Sequence, residues 1–335
     1  MKKILVIILT LLFCTGCFDY KEINDLAIIS AIGIDYENDE YIITLEILND
    51  QIDKASSKIT SYTKTGSGKT LTSAIENAAD KLSKELIFNH IKLMILSKSI
   101  VETKFDNIID LFLRNTYFRE NFYVISSTDT KPEDLLNHTT NEAPIASTAI
   151  TDTLESISYS SNTNILKKFD EIIEEVITYG IDTCFSNITL KDNEFIVDGM
   201  SIFNNYSYKS NLSNEYVKIY NLLIDNFDRP TYTINYDNLS FTTAINNGKI
   251  NAEIKSGTIN VTGNLMGRII DNDPKYNIRD PKNLERIDND FTNLLNKKIP
   301  EFIKVLQDNN SDILGITRNY YKKTRTKDKD YWLKL

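Results

Sequence analysis

Two histidines and three cysteines in 335 residues leave this chain little of what metal or nucleophile chemistry needs. His90 and His138 stand far apart, and no Cys or acidic residue sits at metal-ligand spacing around either, so neither a zinc centre nor a His-activated nucleophile is visible. His90, at the mouth of an apolar strand, reads as a hydrogen-bonded structural residue. Cys14 and Cys17 fall near the N-terminus, which leaves the body with Cys184 alone, a buried inert thiol beside Ile181 and Phe185, and with no disulfide scaffold. Glycine and proline are also scarce, at 11 and 6, which excludes collagen-like and low-complexity architectures. Basic charge is in deficit: 38 Lys and Arg face 47 Asp and Glu, a net of −9, and loss of Lys2 and Lys3 with a leader takes it to about −11. Such a body repels phosphate backbones, so nucleic acid is excluded as a partner. What the chain does have is apolar side chain, 41% of residues, enough for folded cores and, at this length, for more than one domain.

The opening residues read as an export leader. Lys2 and Lys3 precede an apolar run from Ile4 to Phe13 broken only by Thr10. As a helix that run is roughly 15 Å long, half of a ~30 Å hydrocarbon core, and cannot span a bilayer. Cys14-Thr15-Gly16 then leads to Cys17. Small residues directly before a cysteine resemble the bacterial lipobox, although Cys14 stands where that motif usually has Leu. The resemblance implies a signal peptide over 1–16, diacylglycerol on the Cys17 thiol and a palmitate-type chain on the new N-terminus. Two or more such chains, at ~0.8 kcal/mol per buried CH₂, hold a protein stably where one does not. The rival reading is an ordinary leader, cut nearby, that releases the body.

Strand and helix patterns alternate through the first half, which argues for mixed α/β layers. Leu26 to Ile34 is a buried strand, alone or fed by a short helix, and Tyr41 to Ile47 is its neighbour across the Glu37-Asn38-Asp39 turn. Gln51 to Lys69 reads as a strand with a loop. Leu71, Ile75, Ala78, Leu82 and Leu86 recur at helical spacing, with Ser73 and Glu76 at capping-box distance and Thr70 an equally good cap. A strand at Ile91 to Leu96, a helix over Phe105 to Leu113, a strand at Tyr123 to Ser126 and a short helix at Pro132-Glu133 follow. Ile165 to Thr178 is a helix ended by Gly180, and Ile188 to Phe203 forms two strands around Lys191-Asp192-Asn193. Asn204 to Asn214, poor in large aliphatics, reads as an interdomain or surface loop. The last third predicts a four-stranded antiparallel meander, with turns at Asn246 to Lys249 and Ser256-Gly257, under a long helix striped from Leu284 to Leu306. Pro300 inside that helix predicts a kink or restart. The expected architecture is α+β and multidomain. Mixed sheets packed with helices fill 17–185, a small middle region or linker spans 186–230, and the meander with its covering helix takes 231–335.

Several phrases, in order along the chain, resemble one family. The first is Cys17-Phe18-Asp19 with Glu22-Ile23-Asn24-Asp25-Leu26-Ala27 and Gly33-Ile34-Asp35, and the second is His90-Ile91-Lys92-Leu93-Met94-Ile95. The third is Asp110-Leu111-Phe112-Leu113-Arg114-Asn115 with Phe118-Arg119, followed by Asp198-Gly199-Met200-Ser201-Ile202-Phe203. The last is Ser311-Asp312-Ile313-Leu314-Gly315 with Tyr331-Trp332 behind it. The chain is similar to the Ger(x)C lipoproteins, the C subunits of nutrient germinant receptors in spore-forming bacteria. Relatives commonly have Trp at the place of Phe18, and Ala before and Phe-Gly after the equivalent of Asp312. The likeness is weakest between Tyr206 and Tyr232. It implies a multidomain α+β lipoprotein on the outer face of the spore inner membrane, with integral membrane A and B subunits as partners. Its part in nutrient-triggered germination would be assembly or signalling, without catalysis and without a cofactor. Gly199, inside the fourth phrase, reads with His90 as structural.

Other strings weigh less. Gly66-Ser67-Gly68-Lys69-Thr70 resembles half a phosphate-binding loop, but Thr63 stands where the first glycine belongs and no buried strand precedes it. An ordinary loop with a helix cap is expected there. Glu171, Glu174 and Glu175 lack the oxygen-rich loop of a calcium site and read as a solvated helix face. The tail from Tyr320 to Lys334 concentrates Lys322, Lys323, Arg325, Lys327, Lys329 and Lys334 against Asp328 and Asp330, which suits lipid headgroups or an acidic partner, or is a bland terminus. Arg114, Arg119, Asp312 and Trp332 combine charge with apolar anchors and are the expected partner-docking residues. The alternative function is a solute-binding lipoprotein feeding an importer, which needs two large lobes and a hinge that the small meander does not suggest.

Overall fold

Asn38 and Asp39 both take left-handed backbone, at φ 52° and 62°, the conformation a two-residue turn needs to match the twist of its strands. They join β1 (Leu26–Glu37) to β2 (Glu40–Leu48) as an antiparallel pair, so the first apolar stretch is strand throughout. The structure, a computed structural model, describes residues 25–49, 59–114, 119–140, 143–224, 231–236, 239–273 and 277–335. Cys17 and the leader lie outside the described residues.

Outward from that hairpin, β2 pairs with β3 (Ser61–Gly68), while β4 (Glu85–Ile87) and β5 (Leu93–Ser97) run parallel to β1. Beyond β5 lie β6 (Tyr123–Ser127), β7 (Cys184–Lys191), β8 (Glu194–Asn204) and β9 (Ser207–Leu212). Among the described residues these nine strands form one mixed sheet, ordered β3-β2-β1-β5-β6-β7-β8-β9 with β4 also beside β1. Alternate side chains point to opposite faces of a strand. Met94 and Leu96 therefore join one core, with α1 (Leu71–Ala79), α2 (Lys98–Thr103) and α3 (Phe105–Arg114) above it. Leu93 and Ile95 join another, covered by α4 (Pro132–Asn137) and α5 (Ala146–Ser160). A sixth helix, α6 (Phe169–Ile177), adds Phe169 and Ile172 to the first core.

The Gly-Ser-Gly-Lys-Thr string turns out to be a packing device. A Cβ on Gly66 would stand 2.3 Å from the Ala74 carbonyl oxygen and 2.4 Å from the Ala78 nitrogen, so glycine is what lets α1 lie on β3. Thr70 caps α1 and Ser73 completes the box, not Ser73 with Glu76. The helix also stops at Ala79, short of the sequence expectation, and Leu86 packs half-buried against the core from β4, where it pairs with Ala27 of β1. Helix α5 has no cap of its own. Glu46, fully buried on β2, supplies it: its carboxylate accepts the Ser147 N–H at 3.3 Å and hydroxyls from Ser30 at 2.6 Å and Ser61 at 2.9 Å.

The span expected as a linker is built into the sheet. The 185/186 boundary falls inside β7, and 186–230 carries β8, β9 and α7 (Asn214–Leu223). Within Asn204 to Asn214, Ser207–Leu212 is strand and not loop, because a polar segment can pair at a sheet edge where only one face needs burial. Among the described residues three strands, not four, make the meander: β10 (Thr231–Tyr236), β11 (Leu239–Lys255) and β12 (Thr258–Asn272). Asn246 to Lys249 is absorbed in β11 at a register shift between Ile245 and Asn247 rather than closing a turn. Helix α8 (Pro281–Asp308) runs through Pro300 as one element, tolerating the loss of a single N–H, and covers the meander with Leu295, Ile299 and Ile303.

Gly199 sits within β8 at φ 81°, and a Cβ there would stand 1.9 Å from the Leu212 carbonyl oxygen. Gly199→Ala is expected to cost about 3 kcal/mol or more, from left-handed strain plus displacement of β9. Glu46→Ala, which strands two serine hydroxyls and a helix N-terminus, is expected to cost about 2–4 kcal/mol. Urea unfolding of each variant measures both losses.

Candidate functional site

Two carboxylates, Asp182 and Asp312, are each 1% exposed and tie the C-terminal segment to the sheet. The Asp182 N–H donates to the Asp312 carbonyl oxygen at 3.0 Å, and the Asp312 N–H donates to Asp182 Oδ2 at 2.8 Å. Asp182 Oδ1 also accepts the Asn205 N–H at 2.8 Å and the Lys329 ammonium at 3.4 Å. The Asp312 carboxylate accepts N–H groups of Ile316 at 2.9 Å and Thr317 at 2.7 Å, which makes it the cap of α9 (Ile316–Thr324).

Local backbone explains how this joint closes. Gly315, left-handed at φ 63°, turns the chain into α9, and its N–H donates back to the Asp312 carbonyl at 3.1 Å. Gly180, at φ 77°, accepts the Arg318 N–H at 2.7 Å, and a Cβ there would meet that nitrogen at 2.7 Å. Asn204 donates to the Asn310 carbonyl and Ser311 to the Phe203 carbonyl, so β8 and the α8–α9 turn are stitched twice more. Trp332 is buried in the same core as α7, α8 and Met200 of β8, and its carbonyl accepts Gln307 Nε2 at 2.7 Å.

Burial raises the Asp312 carboxyl from 3.8 to about 6; its two N–H donors resist that rise and Asp182 adds to it. A second buried polar group lies nearby in the chain. Lys167 places its ammonium 2.7 Å and 2.9 Å from the Glu175 oxygens and 3.9 Å from Cys184 Sγ. Burial pushes the Cys184 thiol up and Tyr220 well up, so the thiol stays protonated and unreactive. Glu175 thus belongs to the interior and not to a solvated face, while Glu171 and Glu174 are exposed.

The residues expected at a docking surface separate. Asp312 and Trp332 are buried and work inside the fold, which corrects their place on that surface: a side chain 1% exposed offers a partner nothing. Arg114 and Arg119 remain exposed, the first paired one helical turn back with Asp110 at 2.8 Å. His90 is exposed in the turn before β5 rather than hydrogen-bonded in the interior. His138 donates through Nε2 to the Asn193 carbonyl at 2.9 Å and sets its ring edge against Phe195. Asp182, Lys167 and Glu46 escaped sequence reasoning; each is one charged residue beside an apolar neighbour, a weak signal.

Among the described residues no group of three or more His, Cys, Asp or Glu is placed to hold a metal, and no helix is long and apolar enough to cross a membrane. Fold and joint together define an α+β protein in which a long mixed sheet is locked to a C-terminal meander. The chain belongs to the spore germination protein family. The family model for the spore germination protein N-terminal domain matches residues 19–190, and that for the spore germination B3/GerAC-like C-terminal part matches residues 198–335. Spore germination protein KC of Bacillus subtilis (strain 168) is 25% identical over 98% of this chain and 89% of its own length. Spore germination protein A3 of the same organism is 26% identical over 80% and 73%. The crystal structure of the GerBC protein shares the fold, with a TM-score of 0.57 over 90% of this chain and 88% of that one, at 15% identity. Family membership gives the chain a germination-receptor-related role and no catalytic one.

The joint makes a signed pH prediction. Asp312 has its folded value raised above its unfolded one, so its proton stabilises the fold below about pH 3.8, and that contribution is lost as pH rises through about 6. The expected swing is on the order of 3 kcal/mol between those limits. Asp312→Asn should flatten it; unfolding free energies of both proteins measured from pH 4 to 7 test this, and equal slopes would remove the assignment.

Proposed function

We propose that this chain is the membrane-anchored lipoprotein subunit of a spore germinant receptor, needed for assembly or signalling in nutrient-triggered germination. The observation that carries the reading is that the two germination family models cover nearly all of the chain downstream of Cys17. The anchor is diacylglycerol and a fatty acyl chain on Cys17, because the apolar run before it is too short to span a bilayer. The body then lies on the outer face of the spore inner membrane and works with two integral membrane subunits, A and B. Arg114 and Arg119 are the docking residues that remain on the surface. Their side chains stand clear of the cores, so they can meet a partner without unfolding the sheet.

The test is a pulldown from spore membranes in mild detergent, comparing wild type with Cys17→Ala. Wild type is expected to bring down two integral membrane proteins and to carry acyl chains by mass spectrometry, whereas the variant leaves the membrane fraction. An unacylated mature protein that stays on the membrane would remove the anchor. Arg114→Glu with Arg119→Glu is expected to change stability by no more than about 0.5 kcal/mol, as exposed positions do, while weakening recovery of both membrane proteins. Undiminished recovery would take these arginines out of the interface.

A further inference from the structure

At the edge where α6, α9 and the tail meet, apolar and basic side chains share one exposed corner. Ile177, the last residue of α6, is 66% exposed, more than Met266 at 58% or Ile59 at 52%. Two residues on, the Tyr179 ring stands 5.2 Å from that of Tyr321 on α9, and Lys327 places its ammonium 5.9 Å from both rings. Tyr320 lies against Tyr331 at 5.2 Å just behind. Around these rings Lys322, Lys323, Arg325 and Lys327 are all exposed. Lys323 is paired with Glu253 and Lys329 with Asp182, but Lys322 and Arg325 have no acidic partner among the described residues. Lys322, Arg325 and Lys327 outnumber Asp328 and Asp330, the acids that bear on Tyr179, by one charge, within a chain of net charge −9.

Arg325 is held in this position by the backbone. It ends α9 in left-handed conformation at φ 60°, and its N–H donates to the Tyr321 carbonyl at 2.8 Å. A non-glycine residue there costs free energy that a smaller residue would avoid. Tyrosine rings beside an aliphatic side chain and several cations have the composition of a membrane interface, where rings lie at headgroup depth and cations meet lipid phosphates.

We infer that the corner formed by Ile177, Tyr179, Tyr321, Lys322, Arg325 and Lys327 is a second membrane contact, one that binds the anionic lipid surface directly. It rests on the membrane-anchored reading for its setting but not for its test. A lipid surface meets the cations with headgroup phosphates and takes Ile177 and the nearby tyrosines at interfacial depth, and an acidic protein is the rival that the test separates. The contact also counters the repulsion that an acidic body meets near an anionic bilayer, and so would fix which face of the anchored protein looks toward the membrane.

The experiment uses residues 18–335, a span that holds every described element and all of the core but lacks the Cys17 thiol. Binding is measured by sedimentation with vesicles of phosphatidylcholine alone and of phosphatidylcholine with an equal part of phosphatidylglycerol. The span is expected to bind the anionic vesicles at least tenfold more tightly, and to be released by high salt. Lys322→Gln with Arg325→Asn, the asparagine chosen because it tolerates left-handed backbone, should weaken that binding about thirtyfold with an unchanged unfolding curve. Ile177→Ser should weaken it several-fold without altering its salt dependence. Equal binding to both vesicle types, no binding to either, or full binding by the charge variant each overturns the proposal. So does capture of polyglutamate without capture of anionic vesicles, which would give the corner to an acidic protein. Because this span cannot be acylated at residue 17, none of these results depends on the lipid anchor.

Discussion

Burying two carboxylates side by side is the condition on which the second half of this protein is built. Asp182 and Asp312 would repel if they faced each other bare, and each loses hydration on leaving water. They are tolerated because their oxygens are filled: Asp182 takes backbone N–H groups of Asn205 and Asp312 together with the Lys329 ammonium, and Asp312 takes the first N–H groups of α9. The donors come from three separate stretches of chain, at Asn205, at 312–317 and at Lys329, so no one of them can shift without leaving a buried charge unmatched. That makes the joint intolerant of partial opening, since removing one partner of a buried charge costs more than the contact itself supplies.

The same region fuses what would otherwise be two domains. Phe185 and Phe203 point to the core shared with α3 and α6, whereas Cys184, Met200 and Ile202 point to the core shared with α7, α8 and Trp332. One pair of strands, β7 and β8, thus has a face in each core, because neighbouring residues of a strand face opposite ways. The family boundary between 190 and 198 lies at the turn of this hairpin, where Asp192 and Asn193 take left-handed backbone. The two family halves therefore meet inside one hydrogen-bonded ladder instead of across a linker, and a displacement of one is carried to the other through it.

Much of this was legible in the residues. A nearly continuous apolar run placed β1, late alternation placed β2, short apolar runs placed β5 and β6, helical spacing placed α3, and paired turn residues placed the β7–β8 hairpin. Elements were missed where burial was supplied by distant partners. Helix α5 is rich in Ser and Thr and has no cap in its own sequence, because its cap is Glu46, 101 positions away. Strand β9 looked like a loop since its polarity is that of an edge, and β11 looked like two strands since a bulge and a turn share the same asparagines and glycine. For the site, a charge–aromatic rule marked Asp312 and Trp332 as important but assigned them to the surface. Their importance is internal, and only the carboxylate of Asp182, 130 positions earlier, reveals it.

The joint and the basic corner are also linked. Lys329 belongs to the same tail as Lys322, Arg325 and Lys327, and its ammonium is spent on Asp182 and on the Asn205 side chain at 2.8 Å. Lys323 is likewise held by Glu253 of β11. Lys323 and Lys329 are thus fixed to acids of the body, and Lys322 beside them with Arg325 and Lys327 between them are what the surface shows. A tail of this composition, free in water, would spread its charge over many conformations and lose ordering entropy on every contact. Tied at Asp182 and Glu253, and packed through the edge-to-face rings of Tyr179 and Tyr321, it presents the remaining charges already ordered. The contact that closes the core is therefore also one that preorganises the surface, since loosening Asp182 would release Lys329 and with it the tail.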